Sequence, residues 1–387
     1  MQKNNQKIPE GWSVRKLGDL GIFSKGSGIT KNDLVSDGLP CIRYAELYTK
    51  YNFVIPNCVS FISEEVSKTA KPIQCGDILF AGSGETKEEI GKCAVYDNPI
   101  TAYAGGDNII LHPSGVNSVF LSYFLNTAGR RYLNRLGQGD SIVHIHAEHL
   151  KKIYVPIPPL PEQEKITEIL GTWDEAIEKL SNLIEQKKLL KKGLMQKLLT
   201  GKTRLSGFTL PWKKIEFDTI FYIEKGIKNK QIQTKEYQRN GCFPVVDQGK
   251  ELIVAYCDMK EKLYDDTPVI VFGDHTRILK FITFPFVIGA DGTQLIKANN
   301  KYSLTFCFYV LQNTHIANRG YSRHMSLLKE KVFTIPSDIA EQQAIADVLS
   351  TADDEIYLLN QKLEALKKQK KGLMQQLLTG QIRVKVN

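Results

Sequence analysis

One long segment of this chain occurs twice, and that repeat limits the architectures open to it. EQEKITEILGTWDEAIEKLSNLIEQKKLLKKGLMQKLLTG starts at Glu162, and EQQAIADVLSTADDEIYLLNQKLEALKKQKKGLMQQLLTG starts at Glu341. A shift of 179 residues aligns the two without a gap, from Glu162-Gln163 over Glu341-Gln342 to a shared Leu-Leu-Thr-Gly. A chain that repeats a long helical segment is a two-unit array, and it performs two similar acts.

Both copies carry a helix-pairing pattern. The first seam is Ile166, Leu170, Trp173, Ile177, Leu180 and Ile184, then Lys187 and Lys191, then Leu194 and Leu198. The second is Ile345, Leu349, Ala352, Ile356, Leu359, Leu363 and Leu366, then Lys370, Leu373 and Leu377. Steps that alternate between four and three are the heptad signature of a helix packed on another helix. Thr200-Gly201 and Thr379-Gly380 close the two segments, with glycine suited to a left-handed cap. Thirty-eight residues at 1.5 Å each make a rod of roughly 57 Å. A whole domain separates the copies, so antiparallel pairing with an approximate two-fold repeat is expected. The lysines that interrupt the seam suggest that partner proteins pack near Lys187, Lys191 and Lys370.

The flanking segments repeat as well. Gly11-Trp12 opens one and Pro211-Trp212 the other, and Leu17 and Leu20 match Phe217 and Ile220. Each ends on an extended run into Ile-Pro, at Ile157-Pro158 and Ile335-Pro336. Between these marks the texture is β-rich. GDILFAGSG (76–84) corresponds to TPVIVFGDH (267–275), and ITAYAGGDNIILHP (100–113) to FVIGADGTQLIKA (286–298). Helical patterns follow over 118–133 and 304–314. From Trp to Ile-Pro the spans are 145 and 123 residues, so the two differ mainly in loop length. The expected fold class is α+β, with two β-rich domains (1–156 and 206–334), each followed by a long helix (157–205 and 335–387).

Charge and cysteine usage narrow the setting. The net charge is +9, and the two β-rich segments hold seven of those surplus positive charges. A moderate basic excess suits nucleic-acid binding and is shared by many enzymes. Seven cysteines with no C-x-x-C spacing argue against a disulfide framework and a zinc ribbon, and favour reduced thiols in a cytoplasmic protein. Neither a signal-peptide pattern nor an apolar run of membrane-spanning length is present, so no membrane association is expected.

Catalytic patterns are sparse. Asp77, Glu85 and Lys87 fit the loose acidic spacing of a metal-dependent nuclease, but TPVIVFGDHTRILK has no counterpart. His144, His146 and His149 could converge on a metal, yet no HExxH or cysteine accompanies them, and no metal site is assigned. A P-loop, a nucleophile elbow and a dinucleotide fingerprint are all missing. Asp97-Asn98-Pro99-Ile100 lacks the second proline and the aromatic of an adenine-methyltransferase motif.

Candidate DNA contacts form a more coherent set, because polar loops recur at matching places. Late loops supply Gln138, Ser141, His144 and His146 in one domain, and Arg319, Tyr321, Ser322, Arg323 and His324 in the other. Early loops supply Lys25 and Ser27, and Lys225, Lys228 and Lys230. Ser83 and Lys87 match Asp274 and Arg277 in position, with His275 beside them. Such side chains read base edges or phosphates.

Two Trp-to-Ile-Pro domains, each running through Glu-Gln into a helix that ends GLMQ-x-LLTG, resemble the DNA-specificity subunit of type I restriction–modification systems. Ile157-Pro-Pro-Leu-Pro-Glu-Gln163 is the most specific stretch; Ile335-Pro-Ser-Asp-Ile-Ala-Glu-Gln342 departs from it by one extra residue and fewer prolines at the start of the second helix. The resemblance implies a non-catalytic subunit whose two target recognition domains each read half of a split, asymmetric target in double-stranded DNA, while the paired helices set the gap. It further implies docking of two adenine methyltransferase subunits and of restriction–translocase subunits. S-adenosylmethionine, ATP and Mg would sit on those partners, with no cofactor on this chain.

Overall fold

A computed structural model describes residues 8–139, 142–318, 320 and 322–386. The chain divides into two compact units. Residues up to Leu180 join those from Lys362 onward in the first, and Ser181–Gln361 forms the second.

In the first unit, Ser13–Lys16 pairs antiparallel with Tyr154–Ile157, Ser13 opposite Ile157. The Trp segment and the Ile-Pro run thus form one ribbon. The main sheet runs in the order Gly21–Lys25, Asn108–Pro113, Ile78–Ala81, Cys93–Tyr96, Val54–Ile55. Its central strand Ile78–Ala81 is buried on both faces, which explains its unbroken apolar run. Ile78 and Phe80 face the helix Ser118–Asn126, whereas Leu79 and Ala81 face a second sheet through Ile42, Ile73 and Ala102.

The helical pattern over 118–133 resolves into two helices, Ser118–Asn126 and Arg130–Leu136. Thr127 leaves helical geometry, and its hydroxyl bonds back to the Tyr123 carbonyl at 2.5 Å. This local competition for a backbone acceptor ends the helix.

The second unit repeats the plan with smaller sheets. Trp212–Glu216 pairs with Val332–Pro336. Val269–Gly273 is the buried central strand, with Ile270 and Phe272 toward the helix Leu304–Gln312 and Val269 and Val271 toward the other sheet.

Both long helices contain 39 residues, Leu160–Leu198 and Ile339–Leu377. The second starts cleanly despite its missing prolines, because Asp338 Oδ1 accepts the backbone N–H of Ala340 at 2.9 Å. Ile166, Leu170, Leu180 and Leu363 are buried in the first unit, and Ile184, Ile345 and Leu349 in the second. Trp173, Ile177, Ile356, Leu359 and Leu366 are half-buried. The expected seam therefore faces inward. Its direction is antiparallel within each unit. In the first, Glu162 meets Arg383 and Asp174 meets Lys370; in the second, Lys191 meets Asp353 and Arg204 meets Glu341.

These pairs give the lysines that interrupt the seam a use within the chain. Lys370 and Lys191 are spent on internal carboxylates, and Lys187 pairs with Glu355 at 2.6 Å. The seam needs no partner protein to account for its lysines.

The Glu-Gln motif has a direct physical use. Gln163 accepts the N–H of Asn117 at 2.8 Å and donates to the Pro158 carbonyl at 2.8 Å. Gln342 does the same with Ser303 and Pro336, at 2.9 Å each. One buried amide therefore ties the long helix to a domain helix and to the Ile-Pro strand. Both donors and acceptors would otherwise be buried unpaired.

Candidate nucleic-acid interface

In the first unit the early, middle and late candidate loops converge. Ser83–Gly84 pairs antiparallel with Val143–His144, and Ser83 Oγ lies 3.0 Å from His144 Nδ1. Tyr48 holds the same turn by donating to the Ser83 carbonyl at 3.0 Å. A cleft of about 500 Å³ opens there, lined by Phe23, Lys25, Ser83, His144, His146 and Lys151. Lys25, His144 and His146 are exposed on its rim, while Ser83 is buried. Gly26 makes the approach of Lys25 and Ser27 feasible: a Cβ there would lie 2.0 Å from the Gly105 carbonyl oxygen. Ser27, Lys87 and Gln138 are exposed as well. Ser141 lies outside the described residues.

The alternative chemistries find other uses for their residues. Asp77 is buried and bonded to His112 Nδ1 at 2.7 Å and to the Gln74 N–H at 2.8 Å, whereas Glu85 and Lys87 are exposed. The rings of His146 and His149 lie tilted against each other, with centroids 5.7 Å apart. No group of three or more His, Cys, Asp or Glu side chains among the described residues is placed to hold a metal ion.

The second unit brings the same two loops together with different groups. Asp274, the positional match of Ser83, accepts the N–H groups of His324 and Met325 on Oδ1 at 2.8 and 2.7 Å. His324 is fully buried, with its ring Nδ1 2.8 Å from the Asp274 carbonyl oxygen. It fastens the late loop, and its expected role as a DNA-facing side chain is withdrawn. Lys230 is also turned inward, donating to the Leu263 carbonyl at 2.9 Å over the Tyr264 ring. Arg277 adopts φ 62° and donates to the Ile316 carbonyl at 3.0 Å. Ser322 and His275 are half-buried. Lys225, Lys228 and Arg323 remain exposed, and Arg319 and Tyr321 lie outside the described residues.

Several groups escaped the sequence reading. Phe23 and Lys151 complete the first cleft. Gln248 organises the second loop cluster, with its Oε1 3.3 Å from the His275 N–H and its carbonyl accepting from Thr276 at 2.6 Å. The polar run VVDQGKE between two apolar strands was the available signal.

Each unit is an α+β domain that gathers polar loops within itself and is carried on paired long helices, a duplicated plan with a family likeness. Residues 9–187 and 210–368 match the family described as Type I restriction modification DNA specificity domain, and the chain belongs to that family. It is 25% identical to the type I restriction enzyme MjaVIII specificity subunit of Methanocaldococcus jannaschii, over 98% of this chain and 95% of that one. It is 28% identical to the type I restriction enzyme EcoKI specificity subunit of Escherichia coli, over 54% of this chain and 46% of that one. The fold is similar to the crystal structure of the type I restriction–modification S subunit from M. genitalium, with a TM-score of 0.64, 17% identity, and coverage of 97% and 98% of the two chains. Among the described residues no helix is long and apolar enough to cross a membrane.

Proposed function

We propose that this specificity subunit reads a bipartite, asymmetric target in double-stranded DNA, one half-site per globular domain (1–156 and 206–334). The paired helices set the gap and dock two adenine methyltransferase subunits. Restriction–translocase subunits complete the assembly, in the cytoplasm. S-adenosylmethionine, ATP and Mg act on those partners.

One observation supports this reading above the others. Both units bring the same two loops together, but around Ser83 and His144 in one and Asp274 and His324 in the other. The same scaffold with different contact groups suits two different half-sites.

Co-production with a cognate methyltransferase subunit, followed by sequencing of modified adenines, tests it. The expected product is a two-part, non-palindromic motif with a fixed gap. Inserting one heptad in each helix changes the gap and leaves both half-sites intact. A continuous or palindromic motif, or loss of a half-site with the gap unchanged, overturns the reading.

A further inference from the structure

Asp174 and Asp353 stand at the same place in the two helix copies, 179 residues apart. Each joins three elements. In the first unit, Asp174 Oδ1 pairs with Lys370 of the other long helix, and Oδ2 accepts the hydroxyl of Tyr123 from the domain helix. In the second, Asp353 Oδ1 pairs with Lys191 at 2.6 Å, and Oδ2 accepts the hydroxyl of Tyr309 at 2.8 Å. Both ammonium groups also lie over aromatic faces: Lys370 is 4.6 Å from the Phe53 ring centre and 5.2 Å from that of Tyr123, and Lys191 is 5.3 Å from that of Tyr309.

Such groups are an expensive way to fill a seam. Lys370 is buried, and that burial lowers its pKa while Asp174 acts in the opposite sense. An apolar pair of similar volume would seal the seam with equal or greater stability. What the charged pair adds is discrimination between alternatives. In-register parallel pairing would set Lys191 level with Lys370, like charge against like. An antiparallel slip of one heptad would set Lys370 against Thr167 or Ser181, and Lys191 against Ala346 or Asn360. Each slip leaves a lysine in the seam without a carboxylate. Of these arrangements, the observed register alone sets both lysines level with a carboxylate.

We infer that Asp174 and Asp353 are positioning residues: each fixes the direction and register of the helix pair in its unit and, through Tyr123 or Tyr309, the seating of the recognition domain on that pair. The consequence for DNA, a single fixed gap, rests on the proposed reading above; the register itself does not.

The register is read without DNA. In the intact chain, zero-length carbodiimide cross-linking followed by mass spectrometry is expected to join Lys187 to Glu355, which lie 2.6 Å apart. In the neutral variant Lys191→Met with Asp353→Asn, the share of that link falls about tenfold and slipped links appear, a change of the size expected when one coupled contact is lost. The thermal midpoint stays near the wild-type value. The exchanged pair Lys191→Asp with Asp353→Lys restores the link. In complex with the methyltransferase, the neutral variant still reads both half-sites but spreads the gap. An unchanged Lys187–Glu355 link in the folded neutral variant overturns the inference, whatever the DNA shows. A wild-type chain that yields no two-part motif overturns the proposed function and leaves the register to be decided by the cross-link.

Discussion

The indole N–H of Trp12 donates to Glu162 Oε2 at 3.1 Å across 150 residues of sequence. It fastens the residue that leads into the first β-strand, Ser13–Lys16, to the first turn of the long helix. Arg383 closes the same carboxylate with two bonds, 2.6 and 2.8 Å, and lies over the Trp12 ring. The second unit builds the same clasp from Trp212, Glu341 and Arg204. Trp12→Phe keeps the ring packing and deletes one bond to a charged, buried acceptor, a loss of about 1.5 kcal/mol. The melting midpoint of the first unit should fall by roughly 3–6 °C. A calorimetric scan showing a loss below 1 °C would mean that the arginine alone holds the carboxylate.

The helix ends differ in how tightly they are enclosed. Gly201 and Gly380 both take a left-handed conformation, φ 69° and 70°. A Cβ at Gly201 meets Trp212 at an ordinary 3.5 Å, whereas one at Gly380 falls 2.3 Å from the Pro9 ring. Gly201→Ala therefore costs about 1 kcal/mol of backbone strain. Gly380→Ala adds overpacking and costs about 2–4 kcal/mol. Urea midpoints of the two variants compare the costs directly, and equal losses would mean that Pro9 moves freely aside.

Thiol reactivity should divide by burial. Desolvation holds Cys41, Cys58 and Cys93 up at about 12 and pushes Cys307 further in the same direction. With a pKa near 12, about one such thiol in ten thousand is thiolate at pH 8. Cys75 and Cys242 are raised too, the former by desolvation and the latter by the Asp258 carboxylate, but both are exposed. Iodoacetamide on the native chain should label Cys75 and Cys242, faster at pH 9 than at pH 7. Labelling of Cys93 or Cys307 without denaturant would show that the cores open.

The seam and the duplicated plan were legible because both are periodic and local: heptad steps, a 179-residue shift, and a Trp and an Ile-Pro at each end. The central strands were legible because ILFA and VIVF can only be buried on two faces. What stayed hidden depends on pairing between distant residues. Asp174 and Asp353 look like solvent-facing acids until the antiparallel partner supplies Lys370 and Lys191. Their identical place in the two copies was the unused clue. His324 sits in a loop as polar as any reading loop, and only the fold reveals that Asp274 buries it. The Ser83–His144 contact joins residues 61 apart, which no spacing rule anticipates.

Phosphate contacts and base contacts should separate in their response to salt. Lys25 and Lys225 are exposed at matching places in the two units, clear of the internal ion pairs that occupy Lys191 and Lys370. If each neutralises one phosphate, Lys25→Ala or Lys225→Ala flattens the slope of log K against log salt by about 0.9 and weakens all sequences alike. His144 is placed differently, on the rim of the first cleft beside Ser83. If it reads a base of one half-site, His144→Ala should keep the slope and lose about 1–3 kcal/mol of discrimination, confined to that half-site. Binding of the methyltransferase complex to matched and mismatched duplexes from 50 to 200 mM salt, roughly the range over which such slopes resolve, measures both effects. Loss of discrimination at both half-sites together would mean that His144 supports the fold of the complex instead of reading a base.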